Sequence, residues 1–248
     1  MNIQRSIRRV ASFIRLASSD DLERLKMTLD ENSQDEDYAV WRRYLQLCAR
    51  TNEYPNIYYN WLENKFSIDI ARNLKAWDLQ SKNIPHLDWL VAMKEPNLKR
   101  LFLYNNEITS IDGLEDFTAP NLEVLDLAVN KISNLDKARD WRFPKLRDLK
   151  LNSNNIKDTK GLGGSNYPQM YNLELRNNQI SSLEGLDTFN AYNLYSLDIS
   201  YNKLTSIDEL FELNSPGLSV LYISNNTEDF TSLYGELKKK FRLLSNII

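Results

Sequence analysis

Cysteine and histidine are almost missing from this chain: Cys48 and His86 are the only ones in 248 residues. A single cysteine permits no intrachain disulfide and points to a reducing, cytoplasmic setting. Zinc sites built from several His and Cys side chains lack their ligands, so no metal and no cofactor is expected. A Cys–His nucleophile pair would need Cys48 and His86 to meet in space, and nothing local brings them together. Excess positive charge is missing too. The 31 basic and 34 acidic residues leave a net charge of −3, which disfavours direct nucleic-acid binding, because phosphate recognition needs clustered cations. No apolar run approaches the roughly 20 residues of a membrane-spanning helix. Residues 1–19 also lack the continuous apolar core of a secretory signal.

What is present is a period. From residue 74 onward the pattern Leu-x-x-Leu-x-Leu-x-x-Asn-x-Ile recurs, with clear copies at Leu98, Leu122, Leu146 and Leu194. Met170 leads another copy, and Leu218 starts one that decays at its end. The asparagines Asn106, Asn130, Asn154, Asn178, Asn202 and Asn226 follow one another at intervals of 24 residues. One step earlier stands Lys82, still flanked by Trp77, Leu79 and Ile84, which makes about seven coils. The isoleucine column and two beyond it keep the phase. They are Ile84 to Leu204, Leu87 to Ile207 (with Thr159 in it), and Leu90 to Leu210 (with Ala138 in it). Proline closes most coils, at Pro96, Pro120, Pro144, Pro168 and Pro216, with Tyr192 as the exception.

The pattern has a direct physical reading. In Leu-x-Leu the side chains alternate, so both leucines point inward from one short strand. One coil cannot bury its own leucines, but stacked coils can, with their strands joined in a parallel sheet. The asparagine falls where the chain leaves the strand. Its amide both donates and accepts, so it can satisfy backbone groups left unpaired by the turn. The proline stops the return segment from continuing as helix.

The segments Leu-Tyr-Asn-Asn-Glu-Ile-Thr-Ser-Ile-Asp-Gly-Leu (103–114) and Leu-Arg-Asn-Asn-Gln-Ile-Ser-Ser-Leu-Glu-Gly-Leu (175–186) resemble the leucine-rich-repeat family. The likeness is to its short-repeat class of about 22 to 24 residues. That class includes a regulatory subunit of protein phosphatase 1, internalins and an axonemal dynein light chain. The resemblance covers residues 74–226. It implies an α/β solenoid, a right-handed superhelix with a parallel β-sheet on its concave side, and it leaves function open.

A solenoid needs caps over its terminal coils. Residues 227–248 are expected to supply a helical one, since Leu233, Leu237, Phe241, Leu244 and Ile248 recur at helical spacing, with Lys238, Lys239 and Lys240 mostly off that stripe. Residues 1–73 read as helices. Ser19 or Asp20 can cap one that carries Leu22, Leu25 and Leu29, with Glu23 placed for a capping box. Pro55 can open another with Ile57, Tyr58, Trp61 and Leu62. Residues 1–19 carry Arg5, Arg8, Arg9 and Arg15 and no acid. A mitochondrial presequence has that make-up, as does a helix lying on anionic lipid. The plainer reading is a first amphipathic helix packed on the cap.

Function is expected on the concave face, between the inward leucines. Seven strands give a face roughly 30 Å wide. Arg100 stands at the strand entrance. One outward column contains Phe102, Asp126, Lys150, Glu174, Asp198 and Tyr222; Tyr104 and Arg176 belong to the next, and Tyr201 to a third. Tyr, Phe and Arg are the side chains enriched at interface hot spots, so Phe102, Tyr104, Arg176, Tyr201 and Tyr222 are the expected anchors. The charged members are expected to set electrostatic fit, although pairing across strands also accounts for them.

Catalysis is not expected. Glu174 and Asp198 sit on adjacent strands at a spacing of about 5 Å, which retaining glycosidases use. Yet the surface is open, and Lys150 and Arg176 stand beside the pair. The run Gly161-Leu162-Gly163-Gly164 lacks the lysine and following helix of a phosphate loop. The expectation is therefore a non-catalytic adaptor or regulatory subunit that binds a partner protein. A structural subunit of a larger assembly is the alternative, mitochondrial if residues 1–19 are a presequence. A bacterial or viral effector that grips a host protein is a third reading.

Overall fold

The computed structural model describes residues 75–87, 90 and 93–248. The helical region expected over 1–73, with its Arg-rich segment 1–19 and Cys48, lies outside the described residues. Within them each repeat becomes one coil with one short strand. These are β1 (Ala76–Asp78), β2 (Arg100–Phe102), β3 (Val124–Asp126), β4 (Asp148–Lys150), β5 (Asn172–Glu174), β6 (Ser196–Asp198), β7 (Val220–Tyr222) and β8 (Asn246–Ile247). They form one parallel sheet in chain order. The register through β7 equals the repeat, so Leu101 pairs with Leu125 and Leu149 with Leu173. The architecture is the expected α/β solenoid.

Every column of the pattern goes where its chemistry sends it. Leu98, Leu101, Leu103, Ile108, Ile111 and Leu114 are fully buried, and so are their counterparts in the later coils as far as Ile223. Thr159, the polar member of its column, is buried as well and donates its hydroxyl to the Glu184 carbonyl at 3.0 Å. Larger rings fill the side opposite the sheet. Phe117 lies 6.1 Å from Phe143, and Tyr167 lies 6.0 Å from Phe189. Large and small residues trade places two coils apart (Phe117 with Ala119, Ser165 with Tyr167), on either side of a coil that carries both Trp141 and Phe143, which keeps the layer filled. Burial pushes the Tyr167 phenol pKa upward, and its hydroxyl donates to the Ala138 carbonyl at 2.9 Å.

The prolines do more than end helices. In each coil the leading residue of the repeat donates its amide three residues back: Leu98 to Glu95, Leu146 to Phe143, Leu218 to Ser215. Pro96, Pro144 and Pro216 are thus the second residue of a β-turn that steers the chain into the strand, where a fixed φ near −65° is already correct. Tyr192 occupies the same corner, between Ala191 and Leu194. The return segments are short. They include 3-10 turns at Ala138–Asp140 and Lys160–Leu162, and one helix, α1 (Asp208–Glu212). Gly161 and Gly163 serve this packing. A Cβ at Gly161 would lie 1.7 Å from the Leu135 carbonyl oxygen of the preceding coil.

Each ladder asparagine ties its coil to the one before it. Asn154 donates to its own Leu151 carbonyl at 3.1 Å and to Leu127 of the preceding coil at 3.0 Å, and its Oδ1 accepts from the preceding Ile132 amide at 3.0 Å. Asn106, Asn130, Asn178, Asn202 and Asn226 repeat the arrangement. The direction explains Lys82. The bonds that join its coil to the next are supplied by Asn106, which accepts the Lys82 amide at 2.9 Å. The residue just before each of these positions is left-handed. Ser81, Asn105, Val129, Ser153, Asn177, Tyr201 and Asn225 all have φ between 54° and 58°. Asparagine tolerates that region, while Val and Tyr are strained there.

At the C-terminal end the expected helical cap is only partly a helix. A 3-10 turn at Thr231–Leu233 leads into α2 (Tyr234–Lys240). Leu237 and Phe241 seal the last coil, and Leu244 packs there too, beyond the helix. The chain then returns as β8 on the edge of β7, with the Ile248 carbonyl accepting the Ile223 amide at 2.7 Å. The sheet therefore has eight strands, one more than the Leu-Asn pattern shows. Leu244 and Ile248 keep helical spacing, but their backbone is not helical.

Two stability changes follow. Asn154→Ala leaves buried donors and acceptors of two coils unpaired and should cost about 3 kcal/mol, read as a lower urea midpoint with an unchanged slope. Val129→Asn places a tolerant residue in the left-handed position and should gain about 1 kcal/mol in the same experiment. A loss on that second substitution would mean that the valine side chain contributes packing greater than its backbone strain.

Candidate protein-binding face

With Leu101, Leu125, Leu149, Leu173, Leu197 and Leu221 turned inward, the residues on either side of each must point outward. That alternation builds the face. Arg100 lies exposed at the start of β2. Phe102, Asp126, Lys150, Glu174, Asp198 and Tyr222 form one partly buried column, paired in register from strand to strand. Tyr104 and Arg176 stand exposed in the next column, and Tyr201 beyond them. Tyr104 is 40 % exposed and Tyr201 45 %, unusually open for large rings. With eight strands the face is about 34 Å wide.

The charged members have local duties. Asp126 accepts the Ala128 amide at 3.0 Å, and Asp198 accepts both the amide and the hydroxyl of Ser200, at 3.0 and 2.6 Å. These aspartates pin the strand exits, so only part of their capacity faces outward. Lys150 lies 3.7 Å from Glu174. Burial raises the Glu174 pKa above the usual carboxylate value; Lys150 opposes that shift, while Asp126, Asp198 and Asp148 add to it. The centre of the face is thus short of positive charge. Arg176 is held over the Tyr201 ring, 4.2 Å from its centroid, which fixes both side chains. Among the described residues no group of His, Cys, Asp or Glu is arranged to hold a metal ion.

A further column escaped the sequence reading. It stands immediately before the strands and runs Lys99, Glu123, Arg147, Tyr171, Tyr195, Ser219. Lys99 bonds Glu123 at 2.5 Å and holds its pKa below the usual value. The Arg147 guanidinium lies 5.8 Å from the Tyr171 centroid. Tyr171 and Tyr195 stack at 4.8 Å with their planes 2° apart. The signal was available in the sequence, because three successive repeats carry Arg, Tyr and Tyr one place after the leading Leu or Met. The outward columns that begin at the strand entrance, where Arg100 stands, leave it out.

Two family models match within the repeat region. The sequence model for leucine-rich repeats in two copies matches residues 96–141, and that for a single leucine-rich repeat matches residues 193–213. The chain carries leucine-rich repeats. Domains of this family generally mediate protein–protein interaction and are typically non-enzymatic. Among solved structures, an internalin (inlF) from Listeria monocytogenes is similar over 71% of this chain and 60% of its own length, at 23% identity and a TM-score of 0.46. This leucine-rich-repeat chain thus spans less than two thirds of that protein. No curated protein matches the sequence.

The Glu174 environment makes a pH-dependent prediction. A carboxyl whose pKa is raised on folding holds its proton in the native state after the unfolded chain has released it. Stability is therefore lost as pH rises through that window. Glu174→Gln should raise the melting temperature at about pH 7 and leave it unchanged at about pH 3, where both states carry a neutral glutamic acid. A lower melting temperature at neutral pH would show that the Lys150 pairing outweighs the burial cost.

Proposed function

We propose that this leucine-rich-repeat protein is a non-catalytic adaptor or regulatory subunit that takes a partner protein on the concave face of its sheet. One observation carries the reading: exposed rings and a ring-bound arginine stand on a sheet whose every rung is fixed by the repeat. Tyr104, Tyr201 and Arg176 project into solvent from rigid positions, and Phe102 and Tyr222 are partly covered beside the charged centre. Side chains already ordered in the free protein lose little entropy on binding, so such anchors contribute strongly to affinity. The centre of the face, rich in carboxylates, favours partners of complementary charge and mainly speeds their approach. A cytoplasmic setting belongs to the same proposal and rests on the single cysteine.

The test is affinity capture from the cells of origin with wild type and with a quadruple variant. The variant combines Phe102→Ala, Tyr104→Ala, Tyr222→Ala and Tyr201→Asn, asparagine being chosen because that position is left-handed. Circular dichroism and the urea midpoint establish that the variant is folded. A partner held by wild type should be weakened by at least about 100-fold in the variant, since two or more hot spots are removed. Undiminished capture of every partner would remove the concave face as the binding surface.

A further inference from the structure

The column Arg147, Tyr171, Tyr195, Ser219, Ser245 is continuous at the level of the backbone. Tyr171 donates its amide to the Arg147 carbonyl, Tyr195 to Tyr171, Ser219 to Tyr195 and Ser245 to Ser219. The rungs stand about 4.8 Å apart, the spacing of neighbouring strands. Parallel rings with a 4.8 Å centroid separation therefore lie across the column, each showing one face to the rung before it and one to the rung after. Arg147 covers the outer face of Tyr171. Tyr195 covers the inner one. The far face of Tyr195 looks toward Ser219, a small side chain, and among the described residues no second ring or cation lies on it. Tyr171 and Tyr195 are each 38 % exposed.

We propose that the open face of Tyr195 seats an arginine side chain of the partner protein, so that the stack is completed as arginine, tyrosine, tyrosine, arginine. This rests on the protein-binding reading and names the chemistry of the partner. Three observations favour a cation, and arginine among cations. The ring face is the negative side of the aromatic quadrupole. The carboxylates of Glu174 and Asp198 stand on β5 and β6, the two strands that Tyr171 and Tyr195 lead into, with Lys150 the only cation of that column. Both tyrosines of this surface that already hold a cation hold arginine: Arg147 on Tyr171 and Arg176 on Tyr201. A planar guanidinium lies flat in a gap of that height, whereas an ammonium stays more strongly hydrated.

The test uses the full chain with ring-labelled tyrosine, and three synthetic peptides, Ac-Gly-Arg-Gly-Arg-Gly-amide and its lysine and citrulline counterparts, followed by NMR. The arginine peptide should shift the Tyr195 ring resonances, the lysine peptide should bind more weakly, and the citrulline peptide should leave the ring unmoved. Tyr195→Leu should weaken arginine-peptide binding about tenfold. Ser219→Arg, which offers the seat a guanidinium from the next rung, should block it with the Tyr195 ring still present. Equal binding of the arginine and lysine peptides, with no effect of Tyr195→Leu, would reduce the attraction to diffuse charge and overturn the proposal. So would an unmoved Tyr195 ring at about 10 mM peptide, a concentration at which even weak contacts register. The two readings separate in the capture experiment. If the quadruple variant loses the partner and Tyr195→Leu keeps it at full strength, the concave face stands and the arginine seat falls. If the quadruple variant keeps it, the concave-face reading fails first.

Discussion

The carboxamide of the ladder asparagine is the interaction on which the rest depends. A strand of three residues cannot order a coil by its own hydrogen bonds, and a coil of 24 residues cannot enclose a core. The asparagine links the two problems. Its NH2 holds a carbonyl of its own strand exit and one from the preceding coil, and its oxygen holds an amide of that preceding coil. The link closes only when successive asparagines stand at the same point of successive coils. Any insertion between Asn106 and Asn226 would have to bulge outward or break a pair of these bonds. The constant interval in the sequence reflects this constraint, as does the left-handed residue before each asparagine, which aims the amide inward.

Constraint on the inside leaves freedom on the outside. The period that stacks leucine on leucine also stacks whatever stands between them, and the outward columns show no comparable uniformity. The middle column passes from Phe102 through Asp126, Lys150, Glu174 and Asp198 to Tyr222 in five steps of the same register. Neighbours in such a column must tolerate one another at strand spacing, which explains why ion pairs, ring stacks and arginine–ring contacts recur from rung to rung. The same proximity makes the surface stiff. Arg147, Tyr171 and Tyr195 restrain one another, and Arg176 restrains Tyr201. A recognition surface assembled this way is set before a partner arrives.

The sequence exposed what repeats and concealed what does not. Columns kept in phase identify the coil, the sheet and the inward residues, because each column answers to one physical demand. At the C-terminal end the helical spacing runs past the capping helix for a definite reason. Leu233, Leu237, Phe241, Leu244 and Ile248 satisfy helical spacing, yet only the stretch around Leu237 is helix, and Ile247 lies in a strand opposite Leu221. Hydrophobic spacing over so few residues cannot separate a short helix followed by a strand from one longer helix. The proline role was incomplete because the turn it shapes is visible only once Leu98 and Glu95 are seen to close it. The left-handed column left no trace in residue type, since Val129 and Tyr201 stand beside Ser and Asn. The tyrosine stack was legible and was passed over.

The same geometry weighs against chemistry at this face. A general acid needs a carboxyl whose neighbour remains ionised, in a site that excludes water. Glu174 has a raised pKa, but the causes are its partial burial on an open sheet and the like charges of Asp126, Asp198 and Asp148, with Lys150 in reach to oppose them. Asp198 spends one oxygen on Ser200. Among the described residues nothing places a reacting atom between the two carboxylates or closes over it. What it does produce is a local surplus of negative charge bordered by rings that are already in position. Surplus charge of one sign is costly in a free protein and is relieved when a cation arrives. Catalysis would need the carboxyl pair to be sheltered from water, whereas the proposed binding needs only a pair that Lys150 balances in part, and Glu174 and Asp198 share that single cation.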